Sequence, residues 1–385
     1  MILLMALEKE IIVLGDIEMG AGNLTDDFIS DNALTELIEE LCKRPHAVDL
    51  VLNGDTFDFL KCPYFSANQL SYPRHITSEI SINKLNLIYH AHNKVFRALK
   101  KFCKDKNNRL YFNIGNHDTD LVYHAVQKRI KELLSNSNNI YFKQVYRYKN
   151  VHVEHGQQYD FLTKINFDKL FLNYRGKEIL NQSFISFGLI SRFMHMKEKH
   201  PFLERIFPRK ELLKIQRRLI KKLTRRTVGY FIKSMLYYPL RYFYDPTYTY
   251  PRELFRELYI RLKNVHWDVD KVIPTFKRKK KHSFKKDRIF VLGHIHEKFV
   301  EDKDNIALIH PGSWRDEYDL DVDTRKLIPR PKRYVQILIT DVGTDYQIIE
   351  IPTNRTNLNF DKVINNELKH VKLVAKEEKF HPALI

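Results

Sequence analysis

The chain has 385 residues, 43% of them hydrophobic, and its 65 Lys and Arg against 47 Asp and Glu give a formal net charge of +18. That length gives room for one large domain or two ordinary ones, and that apolar fraction excludes an intrinsically disordered chain. Three cysteines (Cys42, Cys62, Cys103) without Cys-x-x-Cys spacing exclude a disulfide framework and a thiolate metal site, so a reducing, cytoplasmic setting is expected.

No stretch is apolar over the length that a membrane span needs. Met1 to Leu14 lacks the basic and small-residue flanks of a signal peptide and reads as the start of a first strand. The charge is unevenly placed: residues 160–286 hold 31 Lys and Arg and 11 Asp and Glu, while the remainder holds 34 and 36. The positive excess therefore belongs to one middle segment, which is expected to face something anionic.

In chain order, residues 9–16 form an apolar run closed by Gly15-Asp16, with Glu18 two residues on. Thr25-Asp26-Asp27 precede Leu34, Leu37, Ile38 and Leu41, the spacing of a helix behind a polar N-cap. A second strand over 48–53 ends in Gly54-Asp55-Thr56-Phe57-Asp58. Gly54 breaks the run and presents Asp55 beyond the C-terminal end, the edge at which open α/β sheets bind ligands. A helix is predicted over 79–103, with Leu85, Ile88, Val95, Phe96 and Leu99 on one face. Leu110 to Ile114 is the third strand and ends in Gly115-Asn116-His117-Asp118. A helix over 119–134 leads to strands near 140–148 and 151–154, the latter closed by His155-Gly156.

From residue 160 the texture changes to helical spacing with interleaved basic and aromatic residues. Leu212, Ile215, Leu219 and Leu223 form one stripe over 211–226 with a dense basic face opposite, residues 228–250 are rich in Tyr and Phe, and Lys277 to Lys286 reads as a mobile charged loop. Strands return after Asp287. Arg288 to Leu292 ends in Gly293-His294-Ile295-His296, and Ile306 to Ile309 ends in His310-Pro311-Gly312-Ser313-Trp314. Residues 334–339 and 346–351 read as a closing antiparallel pair. The expected division is a core of residues 1–159 and 287–355, a helical basic cap over 160–286 and a polar C-terminal tail over 356–385, helical or disordered.

Five strand ends thus carry groups that bind metals: Asp16 with Glu18, Asp55, Asn116, His155, and His294 with His296. One such end is an ordinary turn, but five in one chain point to a shared centre. The ordered series Gly-Asp-x-x, Gly-Asp-x-x-Asp, Gly-Asn-His-Asp, His-Gly and Gly-His-x-His, spread over residues 9–155 and 287–352, resembles the calcineurin-like metallophosphoesterase superfamily.

The resemblance implies an α/β fold, a four-layer α/β/β/α sandwich with a two-metal site, here carrying a large basic helical insertion. It implies that Asp16, Asp55 and His296 hold one ion, that Asp55, Asn116, His155 and His294 hold the other, and that Asp55 bridges them. It also places His117 beside the ions, stabilising developing charge or protonating the leaving oxygen, with Asp118 orienting its ring. Two divalent ions about 3.5–4 Å apart clamp the attacking and leaving oxygens of an in-line displacement at phosphorus. A mixed set of carboxylates, amide oxygen and imidazoles suits Mn, Fe or Zn better than an all-oxygen cage would. Glu18 stands where the family's first motif, Asp-x-His, usually has its His. Either it ligates, which makes the site harder and tilts it towards Mn or Mg, or the first site is weakened. Two divalent ions, Mn foremost with Fe, Zn or Mg as alternatives, are therefore the expected cofactors.

In position, the insertion resembles the lid of the UDP-2,3-diacylglucosamine pyrophosphatase branch, which cleaves a nucleotide–lipid pyrophosphate. That branch typically carries Gly-Asn-Arg-Asp, where this chain has His117. A basic amphipathic cap suits an anionic membrane surface, but basic charge interleaved with Tyr and Phe also suits single-stranded nucleic acid. The expected partner is in each case an anionic, phosphate-containing substrate; a binding protein that has lost catalysis on the same fold is the third reading. His310, Ser313 and Trp314 lie at the strand end where substrate would touch, His152 reads as structural, and Asp58 reads as a support for the Asp55 loop.

Overall fold

The computed structural model describes residues 7–66, 69–188, 194–249, 256, 269–283 and 286–380. In chain order the main elements are β1 (Leu7–Leu14), α1 (Asp31–Leu41), β2 (Val48–Asn53), α2 (Ser78–Ala91), α3 (Asn93–Phe102), β3 (Arg109–Asn113), α4 (His124–Leu133), β4 (Ile140–Lys143), β5 (Val145–Tyr148) and β6 (Val151–Glu154). They continue with α5 (Arg217–Tyr242), α6 (Val269–Lys279), β7 (Ile289–Val291), β8 (Phe299–Lys303), β9 (Ile306–His310), β10 (Lys332–Thr340) and β11 (Thr344–Ile351).

Two sheets stack face to face. In the first, β1, β2, β3 and β4 are parallel, and β10 followed by β11 extend the β1 edge antiparallel. The second runs β8-β9-β7-β6-β5, with β9, β7 and β6 parallel. The chain crosses from one sheet to the other at Gln144, so the expected 140–148 strand is in fact two.

Alternation along the strands sets the layers. Ile11, Val13 and Val51 point inward and meet Val151, Val153, Ile289, Val291 and Ile309 of the second sheet. Their neighbours Ile12, Leu14, Leu50 and Leu52 point outward under α1 to α4, against Leu34, Leu85, Phe96, Leu99 and Ile130. Buried on both faces, β1 and β2 read as continuous apolar runs, as parallel strands do. On the far side, Val272, Ile273 and Phe276 of α6 cover Phe290, Leu292 and Leu308. The result is the four-layer α/β/β/α order.

Several local expectations change. The single helix over 79–103 is two, broken at His92, whose ring is clamped by Asp31 Oδ1 at 2.7 Å and Asp26 Oδ2 at 3.0 Å. The N-cap of α1 is Ser30, not the 25–27 run; Asp26 instead takes the N–H groups of Gly20, Gly22 and Phe28. Residues 277–279 are the last turn of α6 rather than a loop, with Lys277 paired to Glu301. So α6, from the segment expected as a cap, supplies the outer layer of the second sheet.

A second core joins parts that lie far apart in sequence. Strand Ile206–Phe207 pairs with Tyr318–Asp321, which pairs with Lys326–Pro329 and that with Leu358–Asn359. Phe202, Ile206, Leu212, Tyr318 and Leu327 pack there against Phe360, Val371 and Val374 of the C-terminal helices Phe360–Asn365 and Glu367–Glu377. Of the basic stripe, Leu212 and Ile215 pack on this core, while the side chains of Leu219 and Leu223 lie outside the described residues. No described helix is long and apolar enough to cross a membrane.

Candidate metal centre

The parallel strands of both sheets deliver their C-terminal ends to one rim, held by bonds between the sheets. His294 N–H donates to Asp16 Oδ1 at 2.8 Å, and Asn53 Nδ2 donates to the Glu154 carbonyl at 3.0 Å. The backbone there is unusual. Asp16, Glu18, Asp55, His294 and His296 have φ of 52°, 54°, 49°, 78° and 56°. A side-chain-bearing residue in this left-handed region costs on the order of 1–3 kcal/mol.

The glycines before the ligands have a second cause, close approach. A Cβ on Gly115 would lie 2.1 Å from Asp55 Oδ1, one on Gly54 2.5 Å from the His155 ring, and one on Gly293 2.8 Å from His155 Nδ1. Only hydrogen fits at these positions, so the Gly-Asp, Gly-Asn and Gly-His pairs are steric requirements of a crowded centre.

The candidate ligands converge. His155 Nε2 is 3.0 Å from Asp55 Oδ2 and 3.3 Å from Asn116 Oδ1. His296 Nε2 is 3.5 Å from Asp16 Oδ1 and 3.4 Å from Glu18 Oε1. Asp55, His155 and His294 each bring one donor atom within 4.8 Å of the others, as do Glu18, Asp55 and His117. Asp55 is common to both groups. Asp16, Asp55 and His155 are buried, whereas the side chains of His117, His294 and His296 are 12–15% exposed and form the mouth.

Charge coupling here is strong. Burial alone would raise the Asp55 carboxyl, but His155 and His117 outweigh it and hold the group well below the carboxylate range. Against their burial, Asp55 lifts His155 to about 10, and Glu18, Asp58 and Asp55 lift His117 to about 9. Burial and the nearby Asp55 lift Asp118 to about 7. A dense cluster of carboxylates, one amide oxygen and imidazoles, sharing one central carboxylate, is a donor set suited to divalent ions of the Mn, Fe and Zn kind.

Other expected residues turn out differently. The ring of His117 is oriented by Asp58, with Nδ1 2.9 Å from Asp58 Oδ1, and not by Asp118. Asp118 accepts the N–H of Gly115 at 2.7 Å and of Thr56 at 2.8 Å, fastening the Asn116 loop to the Asp55 loop. Trp314 is fully buried in the main core and donates its indole N–H to the Arg333 carbonyl, so it faces away from substrate. His310 is buried too; Nδ1 accepts the Gly312 N–H and Nε2 lies 3.6 Å from Asp16. Ser313 is buried as well, with its hydroxyl given to the Asp16 carbonyl. These three residues brace the Asp16 turn. His152 is structural, bonded to Glu154 at 2.8 Å inside the second sheet.

Sequence reasoning missed several neighbours. Glu317 fixes His296 through Nδ1 at 2.9 Å, and Asp160 lies 3.6 Å from His294 Nε2. Lys61 Nζ and Arg315 Nη1 sit 2.9 and 3.4 Å from the Glu18 carboxylate. The only available signal was proximity in sequence: Asp160 five residues after His155, and Arg315 to Glu317 directly after Trp314.

The sequence profile of the family described as Calcineurin-like phosphoesterase matches residues 9–218. The chain belongs to this family. As a calcineurin-like phosphoesterase it is a metal-dependent hydrolase of phosphoester bonds; the family typically uses a dinuclear divalent site, and the rim just described holds candidate ligand groups. Among curated proteins, no sequence matches the chain. Solved structures similar to it include a conserved uncharacterized protein, a predicted phosphoesterase, of Streptococcus pneumoniae, at 9% identity and TM-score 0.28 over 91% of this chain and 96% of that one. Vacuolar Protein Sorting 29 of Cryptosporidium parvum follows at 10% and 0.28, over 90% and 100%. Phosphopantetheinyl hydrolase of Mycobacterium tuberculosis follows at 10% and 0.27, over 80% and 90%.

Proposed function

We propose that this phosphoesterase is a two-metal, Mn-preferring enzyme in which Asp16, Glu18, Asp55 and His296 hold one ion and Asp55, Asn116, His155 and His294 the other. The observation that carries the reading is that one carboxylate, Asp55, converges both with His155 and His294 and with Glu18 and His117. Ions bound there would supply an activated water and neutralise charge at phosphorus. The chain's own residues do the rest. His117, tied through Nδ1 to Asp58, presents Nε2 at the mouth as proton donor to the leaving oxygen. Asp118 holds the two ligand loops in register, and Glu317 fixes the His296 ring.

For the substrate we favour a nucleotide–lipid pyrophosphate, with the 160–286 segment as the selecting cap and the enzyme working in the cytoplasm at a membrane surface. Two features support this. A cavity of about 510 Å³ is lined by Arg74, Lys233, Leu236 and four tyrosines, mixing apolar, aromatic and cationic contacts. Leu236 and Leu240 on α5, and Phe243 and Tyr244 just beyond its end, are 67–83% exposed. Single-stranded nucleic acid is the second reading, supported by Arg241 lying over the half-exposed Tyr237 ring at 4.9 Å.

The test is Mn-dependent hydrolysis of bis(p-nitrophenyl) phosphate by the wild type beside Asp55→Ala and His117→Ala. Turnover that is abolished by chelation and falls at least about a hundredfold in Asp55→Ala is expected, while His117→Ala should lose a comparable factor only on an alkyl diester, whose leaving oxygen needs a proton. No turnover with Mn, Fe, Zn or Mg in folded protein refutes the catalytic reading. UDP-linked lipid against oligonucleotide, under the same conditions, then separates the two substrates.

A further inference from the structure

Next to the rim lies a buried cluster of charge that the reaction scheme does not use. Asp27 is inaccessible and is reached by four cations: Arg315 Nη2 at 2.7 Å, Lys197 Nζ at 2.8 Å, Arg205 Nε at 3.0 Å and Lys61 Nζ at 3.3 Å. Lys61 and Arg315 also reach inward to Glu18, at 2.9 and 3.4 Å. On the outer side the cluster is closed by Glu204, from the short turn Leu203–Arg205 of the basic insertion. Its Oε2 lies 3.2 Å from Lys197 Nζ, 3.8 Å from Arg315 Nη2 and 4.0 Å from Lys61 Nζ.

Glu204 differs from the other members in two ways. Its side chain is 40% exposed, while those of Lys61, Lys197 and Arg315 are 10%, 2% and 6% exposed. Its contacts are also longer than the 2.7–2.9 Å of charge-assisted hydrogen bonds, whereas Arg315 and Lys197 approach Asp27 within that range. Glu204 is therefore held by the field of three desolvated cations more than by directed bonds. Such cations in a low-dielectric pocket favour an anion with more charge and more acceptor oxygens than one carboxylate has.

We propose that Lys61, Lys197 and Arg315 form a second anion subsite that takes the non-reacting phosphate of a substrate with two linked phosphoryl groups, and that Glu204 is a resident carboxylate displaced by it. The proposal rests on the reading of the Asp55 centre as the place of hydrolysis. Lys61 and Arg315 each touch both Glu18 of that centre and Glu204 of the pocket, so one side chain's width separates the two sites. A substrate with two linked phosphoryl groups offers one to each site, and a simple diester, with a single one, cannot. The subsite thus makes the enzyme a pyrophosphate-bond hydrolase rather than a general phosphodiesterase.

The experiment is calorimetric titration of inorganic pyrophosphate into the full chain stripped of metal by chelator, for the wild type, Glu204→Gln and Lys197→Gln. Glu204→Gln should bind pyrophosphate about tenfold more tightly than the wild type, since a neutral amide no longer competes for the cations. Lys197→Gln should bind it at least about tenfold more weakly. If Lys197→Gln melts too low to titrate, Arg315→Lys, which keeps the charge and loses the fork, takes its place with the same expected direction. Unchanged or weaker binding in Glu204→Gln overturns the proposal, as does an absence of binding in both it and the wild type. In Mn-loaded protein, Glu204→Gln should lower KM more for a diphosphate diester than for bis(p-nitrophenyl) phosphate; an equal change in both also overturns it. Failure of the two-metal reading shows separately, as wild-type protein that turns over neither substrate, and leaves the metal-free titration intact.

Discussion

Asp58→Asn tests the proton donor directly. His117 Nδ1 lies 2.9 Å from Asp58 Oδ1, while Asp118 has both oxygens occupied by backbone N–H groups. A hydrogen bond between charged partners is worth about 1.5–3 kcal/mol. At about 1.4 kcal/mol per factor of ten in rate, losing it lowers kcat roughly 10- to 100-fold wherever His117 must protonate the leaving oxygen. That condition depends on the leaving group. A p-nitrophenolate departs as a stable anion and needs no proton, whereas an aliphatic alkoxide does. The assay is kcat at saturating Mn for bis(p-nitrophenyl) phosphate, read by absorbance, and for an alkyl diester, read by phosphorus NMR. Asp58→Asn should stay within about threefold of the wild type on the first and lose the full factor on the second. Asp58 also binds the Lys61 backbone N–H at 2.9 Å, so a melting curve must accompany the kinetics. Equal loss on both substrates in a folded variant, or leaving-group selectivity in Asp118→Asn, would place the proton donor elsewhere.

Three other outcomes follow from the same geometry. In Gly115→Ala the new Cβ would sit 2.1 Å from Asp55 Oδ1; the overpacking should cost about 1–3 kcal/mol and weaken metal binding, measured by thermal melting and metal titration. Asp55→Ala removes the donor common to both groups and should lower the bound-metal stoichiometry towards zero, whereas His294→Ala should retain one ion, as read by elemental analysis. His92, against the effect of burial, is lifted to about 10 by Asp31 and Asp26. Its folded-state value exceeds the unfolded one, so its contribution is complete below about pH 6.5 and disappears as pH rises through 10. The melting-temperature gap between wild type and His92→Gln should therefore be widest at pH 6 and close by pH 10; a constant gap would mean the pair is not ionic.

Asp16, Asp55, Asn116 and His294 were legible because each follows the same two signals, a buried apolar run and a glycine that ends it. Asp16, Asp55 and His294 carry both in plain sequence, and the structure adds the reason for the glycines, a Cβ that would strike another ligand at Gly54, Gly115 and Gly293. Side-chain direction was not legible. Position placed Trp314 and His310 correctly at the rim, but both turn inward, because the chain after β9 folds back onto the Asp16 turn. The same limit exchanged Asp58 for Asp118 behind His117. Residues 27, 61, 197, 204 and 315 are scattered along the sequence, and only the tertiary fold collects them into one buried network. Helical spacing showed that Leu85 and Leu99 share a face, but it could not show that His92 breaks the helix between them.

The centre is also a structural joint, and this couples its chemistry to the stability of the sandwich. Five left-handed residues at on the order of 1–3 kcal/mol each represent a strain comparable with the whole stability of an ordinary domain. It persists because each is held from several sides at once. Asp16 accepts the His294 N–H from the opposite sheet and its carbonyl takes the Trp314 N–H; Glu18 N–H donates to the Asp55 carbonyl at 2.7 Å, and Asp55 takes the His117 N–H at the same distance. Loosening the Asp16 turn relaxes a strained residue and frees the His294 and Trp314 bonds that join the two sheets at their shared rim. Substitutions at the rim should therefore change metal affinity and melting temperature together, whereas substitutions in the Glu204 pocket should change anion affinity first, because the Glu204 side chain is exposed and carries none of the bonds that join the sheets.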